Sequence, residues 1–430
     1  MAPKATWKQW DTSLENLQPV PETNCPLFVQ DLRTLMMTKK KTGQGPRKFL
    51  RKVGGHAVKL AVWSAIMLTT TWIASAKLSA QTYEVIHQFS PSVDGEFPNG
   101  LTHDAAGNLF GTTGQGGPSG AKGSIFKVDP AGVFTILHNF TDTPDGAFPK
   151  AGVILDSSGN VFGTTQTGGA LGGGTVFKMD TAGIVTVLHS FDDENPSAAL
   201  IRDPAGNLYG TAPSGGANGA GLVFRINTLG TGRALHQFSL SEGTSPNGLA
   251  RDVAGNLYGT TRFGGSTNQG TVFKLAPDGT ETVLHDFVGG ATDGRNPQAE
   301  PMLDAAGNLY GTTSGGGASD QGTVFKIDAA GNFTIVHVFN VTDGAILVAG
   351  LVMNAAGTLY GTASQGGDNG AGVVFQIDPA GNATVLHSFG GRNDGKSPSS
   401  TLILSPNGTL YGSTAEGGAH QVGTLFRLKP

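Results

Sequence analysis

From residue 81 onward the chain alternates apolar and polar positions with a period of two, and no stretch there sustains the 3.6-residue period of a helix. Residues 303–339 show the unit. Three runs, 308–313, 323–327 and 333–339, are rich in β-branched and aromatic side chains and are bounded by Gly, Asp and Asn. Such runs read as strands. A shorter apolar stretch before Asp304 is a fourth. Two connectors, at 304–308 and 328–332, are tight, with Gly and Asn available for positive φ. The other two are longer. One is the Gly-rich segment 314–322; the other often reads Asp-Gly-x-x-Pro, as at Asp293, Gly294 and Pro297.

Three markers each recur seven times. The first is His-x-Phe, with the histidine at His87, His138, His189, His236, His285, His337 and His387. The second is an aromatic followed by Gly-Thr or Gly-Ser, at Phe110, Phe162, Tyr209, Tyr258, Tyr310, Tyr360 and Tyr411. The third is the phenylalanine of a Gly-Thr-Val-Phe-Lys-like segment, at Phe126, Phe177, Phe224, Phe273, Phe325, Phe375 and Phe426. Four strands in a repeat of roughly fifty residues match a propeller blade. If the strands are named a to d, the a–b and c–d turns are tight and share one face. The long b–c and d–a loops share the other, where function is expected.

The array opens on a lone d-type strand, 83–89, and closes on a, b and c, the last at 424–428. The opening strand is therefore expected to complete the final blade, leaving no open sheet edge. The expectation is an all-β, seven-bladed propeller of four-stranded antiparallel blades over 81–430, with a parallel β-helix as the less suitable alternative.

The Gly-Asn-Leu-Tyr-Gly-Thr-Thr-x-x-Gly-Gly segment at 307–317 and the Gly-Thr-Val-Phe-Lys segment at 322–326 resemble the signature of the Gloeo/Verruco-type tandem repeat. The resemblance spans essentially all of 81–430. It implies an exported or surface bacterial protein. It also implies that such proteins often carry a C-terminal anchor, which is not expected after Pro430.

Charge divides the chain in two. Residues 1–80 hold twelve of the 28 Lys and Arg but four of the 32 Asp and Glu. The repeats are left with a net charge of −12, which argues against nucleic acid as a partner because phosphate backbones need clustered cations. Within the leader, a basic stretch from Lys39 to Lys59 precedes an apolar run at 60–76 and small residues up to Ala80. That order is a secretory signal, with cleavage after Ala76 or Ala80. An uncleaved membrane anchor is the alternative, although the run is short for a span. The segments are thus 1–56, basic and without repeats, with translation starting at Met36 or Met37 as a further option; 57–80, signal or anchor; and 81–430, the propeller. A secreted, cell-surface or periplasmic monomer is expected, touching a membrane only if the leader stays attached. The sole cysteine, Cys25, precedes the array, so the repeats hold no thiol chemistry.

Each recurring polar residue has a structural reading beside the chemical one. The seven histidines sit one per blade on the outermost strand, too far apart to share a metal, and are expected to pack and hydrogen-bond. The ring of tyrosines is read as blade-to-blade core. The Gly-rich loops lead into strands rather than helices, so they do not cradle phosphate. Acids in the d–a loops, namely Asp94, Asp145, Asp293, Asp343 and Asp394, are weak calcium candidates; no other cofactor is indicated. Candidate ligand contacts on the loop-rich face are Arg262, Phe263, Asp320, Asp368, Glu416, His420, Asp192 and Asp193, positions where the blades differ. No catalytic residue is assigned, and no nucleophile elbow or dinucleotide fingerprint occurs. The sequence favours a non-enzymatic scaffold or binding module for an extracellular ligand or protein. The alternative is a propeller hydrolase or lyase acting on an extracellular polymer through loop-face acids.

Overall fold

Every repeat folds as its alternation demands. A computed structural model of the chain describes residues 81–430 apart from 391–392; the leader, with Cys25, Met36 and Met37, lies outside the described residues. In blade 5, strands a (Met302–Leu303), b (Leu309–Thr313), c (Thr323–Ile327) and d (Phe333–Val338) lie side by side in that order, all antiparallel. The same a-b-c-d order recurs around seven blades. The tight turns are Asx-closed: Asp304 Oδ1 accepts from the amides of Ala306 and Asn308, and Gly307 takes φ +81°.

The opening strand closes the ring. Thr82–Gln88 pairs antiparallel with Thr424–Lys429, placing Thr82 opposite Lys429 and Gln88 opposite Thr424. It thus serves as strand d of blade 7. Ser413 of that blade donates its hydroxyl to the carbonyl of Asn99 in blade 1, a hydrogen bond of 3.1 Å between the two ends of the array.

The core is seven clusters, one in each gap between neighbouring blades. At the centre of each gap, the phenylalanine that ends strand d of one blade meets the strand c phenylalanine of the next. The pairs are Phe89–Phe126, Phe140–Phe177, Phe191–Phe224, Phe238–Phe273, Phe287–Phe325, Phe339–Phe375 and Phe389–Phe426, with centroids 4.8–5.4 Å apart. Each strand c ring also lies across the glycine opposite it on strand b. A Cβ built at Gly111, Gly163, Gly210, Gly259, Gly311, Gly361 or Gly412 would stand 2.4–2.6 Å from the ring's Cζ. The glycine of the aromatic-Gly-Thr marker is therefore required for space, not for backbone conformation.

Buried threonines tie the layers further. Thr313 Oγ1 lies 2.8 Å from Thr323 Oγ1 across the b–c ladder. Thr312 Oγ1 donates at 2.9 Å to the carbonyl of Ala349 in the next blade. One feature departs from simple alternation: every d strand carries a register shift just ahead of its histidine. Such bulges re-aim side chains.

Deleting residues 83–89 removes one rail of the closing ladder together with Tyr83 and Phe89. Truncating a buried aromatic costs about 3–5 kcal/mol. A thermal melt of the deleted protein is expected to show a large loss of midpoint or no cooperative transition; a midpoint equal to that of the full chain would refute closure by this strand.

Candidate functional site

The segments that enter strands a converge on the axis of the ring, and all seven blades contribute to a cavity of about 390 Å³. It is lined by the residues that lead into each a strand after the d–a loop, so its mouth is on the loop-rich face. Superposing the repeats defines two rings of lining residues. The outer ring is Asn99, Lys150, Ser197, Asn247, Gln298, Val348 and Ser399. The inner ring is Gly100, Gly152, Ala199, Gly248, Glu300 and Thr401, with Gly350 at the blade 6 position packed behind Glu300 and Thr401.

Smallness in the inner ring is a matter of space. A Cβ at Gly152 would sit 2.5 Å from the carbonyl oxygen of Gly100. Glu300 is the departure. Its side chain runs over blade 6 to blade 7, where Thr401 Oγ1 donates to Glu300 Oε1 at 2.6 Å and itself accepts the Gly350 amide at 2.9 Å. Gly248 and Gly350 make room on either side: a Cβ at the first would lie 2.7 Å from Glu300 Cβ, and at the second 3.0 Å from Oε1. Oε2 makes no hydrogen bond among the described residues. The lining thus presents one half-buried carboxylate, an exposed Lys150 amine and several neutral polar groups. Part of the outer ring is already engaged: the amide nitrogens of Asn99 and Asn247 donate at 2.9 Å to the carbonyls of Pro149 and Pro297 in the following blades.

The eight loop residues singled out from the sequence lie elsewhere. None lines this cavity. Arg262 stacks over Phe263 at 4.9 Å. Asp320 forms a two-pronged bridge with Arg295 at 2.7 and 2.9 Å and accepts the Gly316 amide. Glu416 pairs with Lys396 at 2.8 Å. The Asp368 amide donates to Ser388 Oγ, and the Asp192 and Asp193 amides donate to Glu194 Oε2. His420 is exposed. Apart from Arg262 on Phe263, these contacts join none of the eight to another. The signal for Glu300 was present in the sequence: it stands where four other blades have glycine.

The histidine row engages the calcium candidates. His87–Asp94, His138–Asp145, His285–Asp293, His337–Asp343 and His387–Asp394 pair at 2.7–3.1 Å. The aspartates also accept loop amides, such as Val288 on Asp293 at 2.8 Å. Among the described residues no three His, Cys, Asp or Glu gather as a metal site. The imidazoles stack on the residue four places before the next blade's histidine where that residue is aromatic: His87 on Phe134, His285 on Phe333, and His387 on Tyr83, at 3.6–4.0 Å.

Glu281 occupies that same position, four places before His285, in the blade after His236. There the row is strained electrostatically. His236 Nε2 stands 3.7 Å from Glu242, beyond hydrogen-bonding reach, and both His236 Nε2 and Glu281 Oε1 are buried without a partner. Burial, then the neighbouring Glu242, pushes the Glu281 carboxyl up to about 7, while burial lowers His236.

The family model of the Gloeobacter/Verrucomicrobia repeat matches residues 70–199, 192–357 and 303–430. The chain belongs to the Gloeobacter/Verrucomicrobia repeat family. No curated relative matches it. Among solved structures, a streptogramin B lyase is 13% identical with a TM-score of 0.56, covering 81% of this chain and 97% of that one. Virginiamycin B lyase from Staphylococcus aureus, an inactive variant with quinupristin, is 15% identical with a TM-score of 0.52 over 81% and 99%. The extracellular domain of a one-component system from B. thetaiotaomicron is 10% identical with a TM-score of 0.51, over 79% of this chain and 40% of that one. At these identities the likeness is one of fold. It places the Gloeobacter/Verrucomicrobia repeat, in this chain, among the propellers.

Because Glu281 titrates above its ordinary 4.5, its proton binds more tightly in the folded state. The resulting stabilisation is complete below 4.5 and is lost as pH rises through about 7. Glu281→Gln is therefore expected to stabilise the protein above pH 7, with the gain shrinking as the pH falls. Urea melts across this range check it; a pH-independent difference would contradict the assignment.

Proposed function

We propose that this propeller is an exported, non-enzymatic binding module that takes a small polar ligand in the loop-face mouth of its central channel. The observation that carries the reading is Glu300. A ring otherwise restricted to Gly, Ala and Thr opens at one blade to admit a carboxylate, and the glycines on both sides leave it space. Thr401 fixes one carboxylate oxygen and leaves the other available to a hydroxyl or amine donor. With Lys150 and Gln298 at the rim, the groups suit a ligand rich in hydroxyls or bearing an amine.

A hydrolase or lyase built on paired acids finds less support. The cavity lining holds one carboxylate and no histidine, whereas acid–base chemistry on a polymer ordinarily uses two placed groups. Export rests on the basic, apolar and small-residue order of the leader. No helix of the described residues is long and apolar enough to cross a membrane.

The test is calorimetric titration of the protein with a panel of neutral and amino sugars, with calcium or with a chelator. Ligands are expected to bind equally in both conditions, and Glu300→Gly is expected to weaken them about tenfold, as for loss of one charge-assisted hydrogen bond. Binding that Glu300→Gly leaves intact would overturn the assignment of the site.

A further inference from the structure

The opposite face carries a second departure from the repeat. In four blades the residue pair of strands c and d nearest the c–d turn but one is a cation facing a small polar residue: Lys127 opposite Thr135, Lys178 opposite Thr186, Lys274 opposite Thr282 and Lys326 opposite Thr334; blade 6 has Gln376 opposite Thr384. In blade 7 the pair is Arg427 with Glu84, an ion pair at 2.7 Å. In blade 3 it is Arg225 opposite Arg233. Like charges directly opposite each other on adjacent strands are destabilising, so the sequence has placed a repulsive pair where the other blades avoid one.

A third cation joins them. Arg251 ends strand a of blade 4, where blades 2, 5 and 7 have Leu155, Leu303 and Leu404 and blade 3 has Arg202. Arg225, Arg233 and Arg251 line one cleft of about 360 Å³ between blade 3 and the tight turns of blade 4. Tyr209 lies beside Arg225 in the ladder, and Leu235 and Pro277 supply apolar wall. Among the described residues the bridges from Lys or Arg to carboxylates are Arg295–Asp320, Lys396–Glu416 and Arg427–Glu84, so these three arginines have none. Arg225 Nη2 donates to Asn207 Oδ1 at 2.8 Å, but Arg225 Nε and Arg251 Nε are buried without an acceptor. Buried donors left unpaired at one place call for an acceptor that binds there. The nearest acids form no ion pair with them: Asp278 at the rim accepts the amide of Thr280, and Asp203, held by Asn207 and Tyr209, meets Arg251 only through space.

We propose that this plain-face cleft binds the phosphate or sulfate group of a small organic ester. Guanidinium forks match tetrahedral oxyanions with paired hydrogen bonds. An oxyanion held among the three offsets the repulsion between Arg225 and Arg233. The cleft exceeds the size of a lone oxyanion, and its apolar wall accommodates the carbon skeleton that carries the charge. The site is separate from the channel mouth, and neither depends on the other.

The test titrates the full chain with glucose 6-phosphate, glucose 6-sulfate, inorganic phosphate and glucose at near-physiological chloride. The two esters are expected to bind more tightly than inorganic phosphate, and glucose not to bind. Arg233→Thr with Arg251→Leu restores residues that other blades already use, so the fold is retained, and it is expected to weaken ester binding at least about tenfold. Arg225→Lys is expected to weaken it less, because a point charge replaces a fork. Without ligand, Arg233→Thr should melt no lower than wild type, since it removes a repulsion. The proposal is overturned if neither ester binds at millimolar concentration, if the double variant binds them as wild type does, or if inorganic phosphate binds as tightly as the esters.

Discussion

The ring depends on one contact repeated in every gap between blades: a phenylalanine from strand d laid against a phenylalanine of the next strand c, whose ring covers a glycine. Each such aromatic pair adds about 0.5–1.5 kcal/mol beyond the area it buries. Its geometry constrains more than it stabilises. The c-strand ring occupies the volume of a Cβ, so strand b must carry glycine at that rung, and the flanking aromatic and threonine are then fixed in register. In five of the seven blades the histidine two residues before the d-strand phenylalanine is held by its loop aspartate, and together they set where the d–a loop leaves the sheet. Most recurring residues thus have a structural cause, including the histidines that resembled chemistry.

Chemistry then belongs where recurrence fails. Glu300 interrupts a ring of small residues in the channel, and three arginines converge in an otherwise acidic body between blades 3 and 4. In both cases the chain accepts an unfavourable element, a half-buried carboxylate or opposed cations, that the other blades do without. Propellers of the same architecture with near 10–15% identity have unrelated names and contexts, as expected when function is grafted onto a permissive scaffold.

The architecture was legible because its signals are local: period-two runs, Asx turns and seven aligned aromatics name the strands, and the orphan strand at 83–89 names the closure. The channel was not, because strands a are mostly two residues long, and Glu300 precedes the hydrogen-bonded part of its own strand. Loop variability instead drew attention to Asp320 and Glu416, which the structure pairs with Arg295 and Lys396. The arginine cleft was hidden for a different reason. Arg225 and Arg233 meet only through the c–d register, and Arg251 reaches them only once blade 4 is docked. Bulges before each histidine were also invisible, since a bulge adds one residue without changing composition.

The ring packs as it does only if the strand c phenylalanine occupies the space of the missing Cβ. A double-mutant cycle at Gly311 and Phe325 measures it by denaturant unfolding. Gly311→Ala is predicted to cost about 1–3 kcal/mol in the wild-type background, as overpacked cores do, and much less in a Phe325→Leu background, where the ring no longer covers the site. Equal costs in both backgrounds would contradict it.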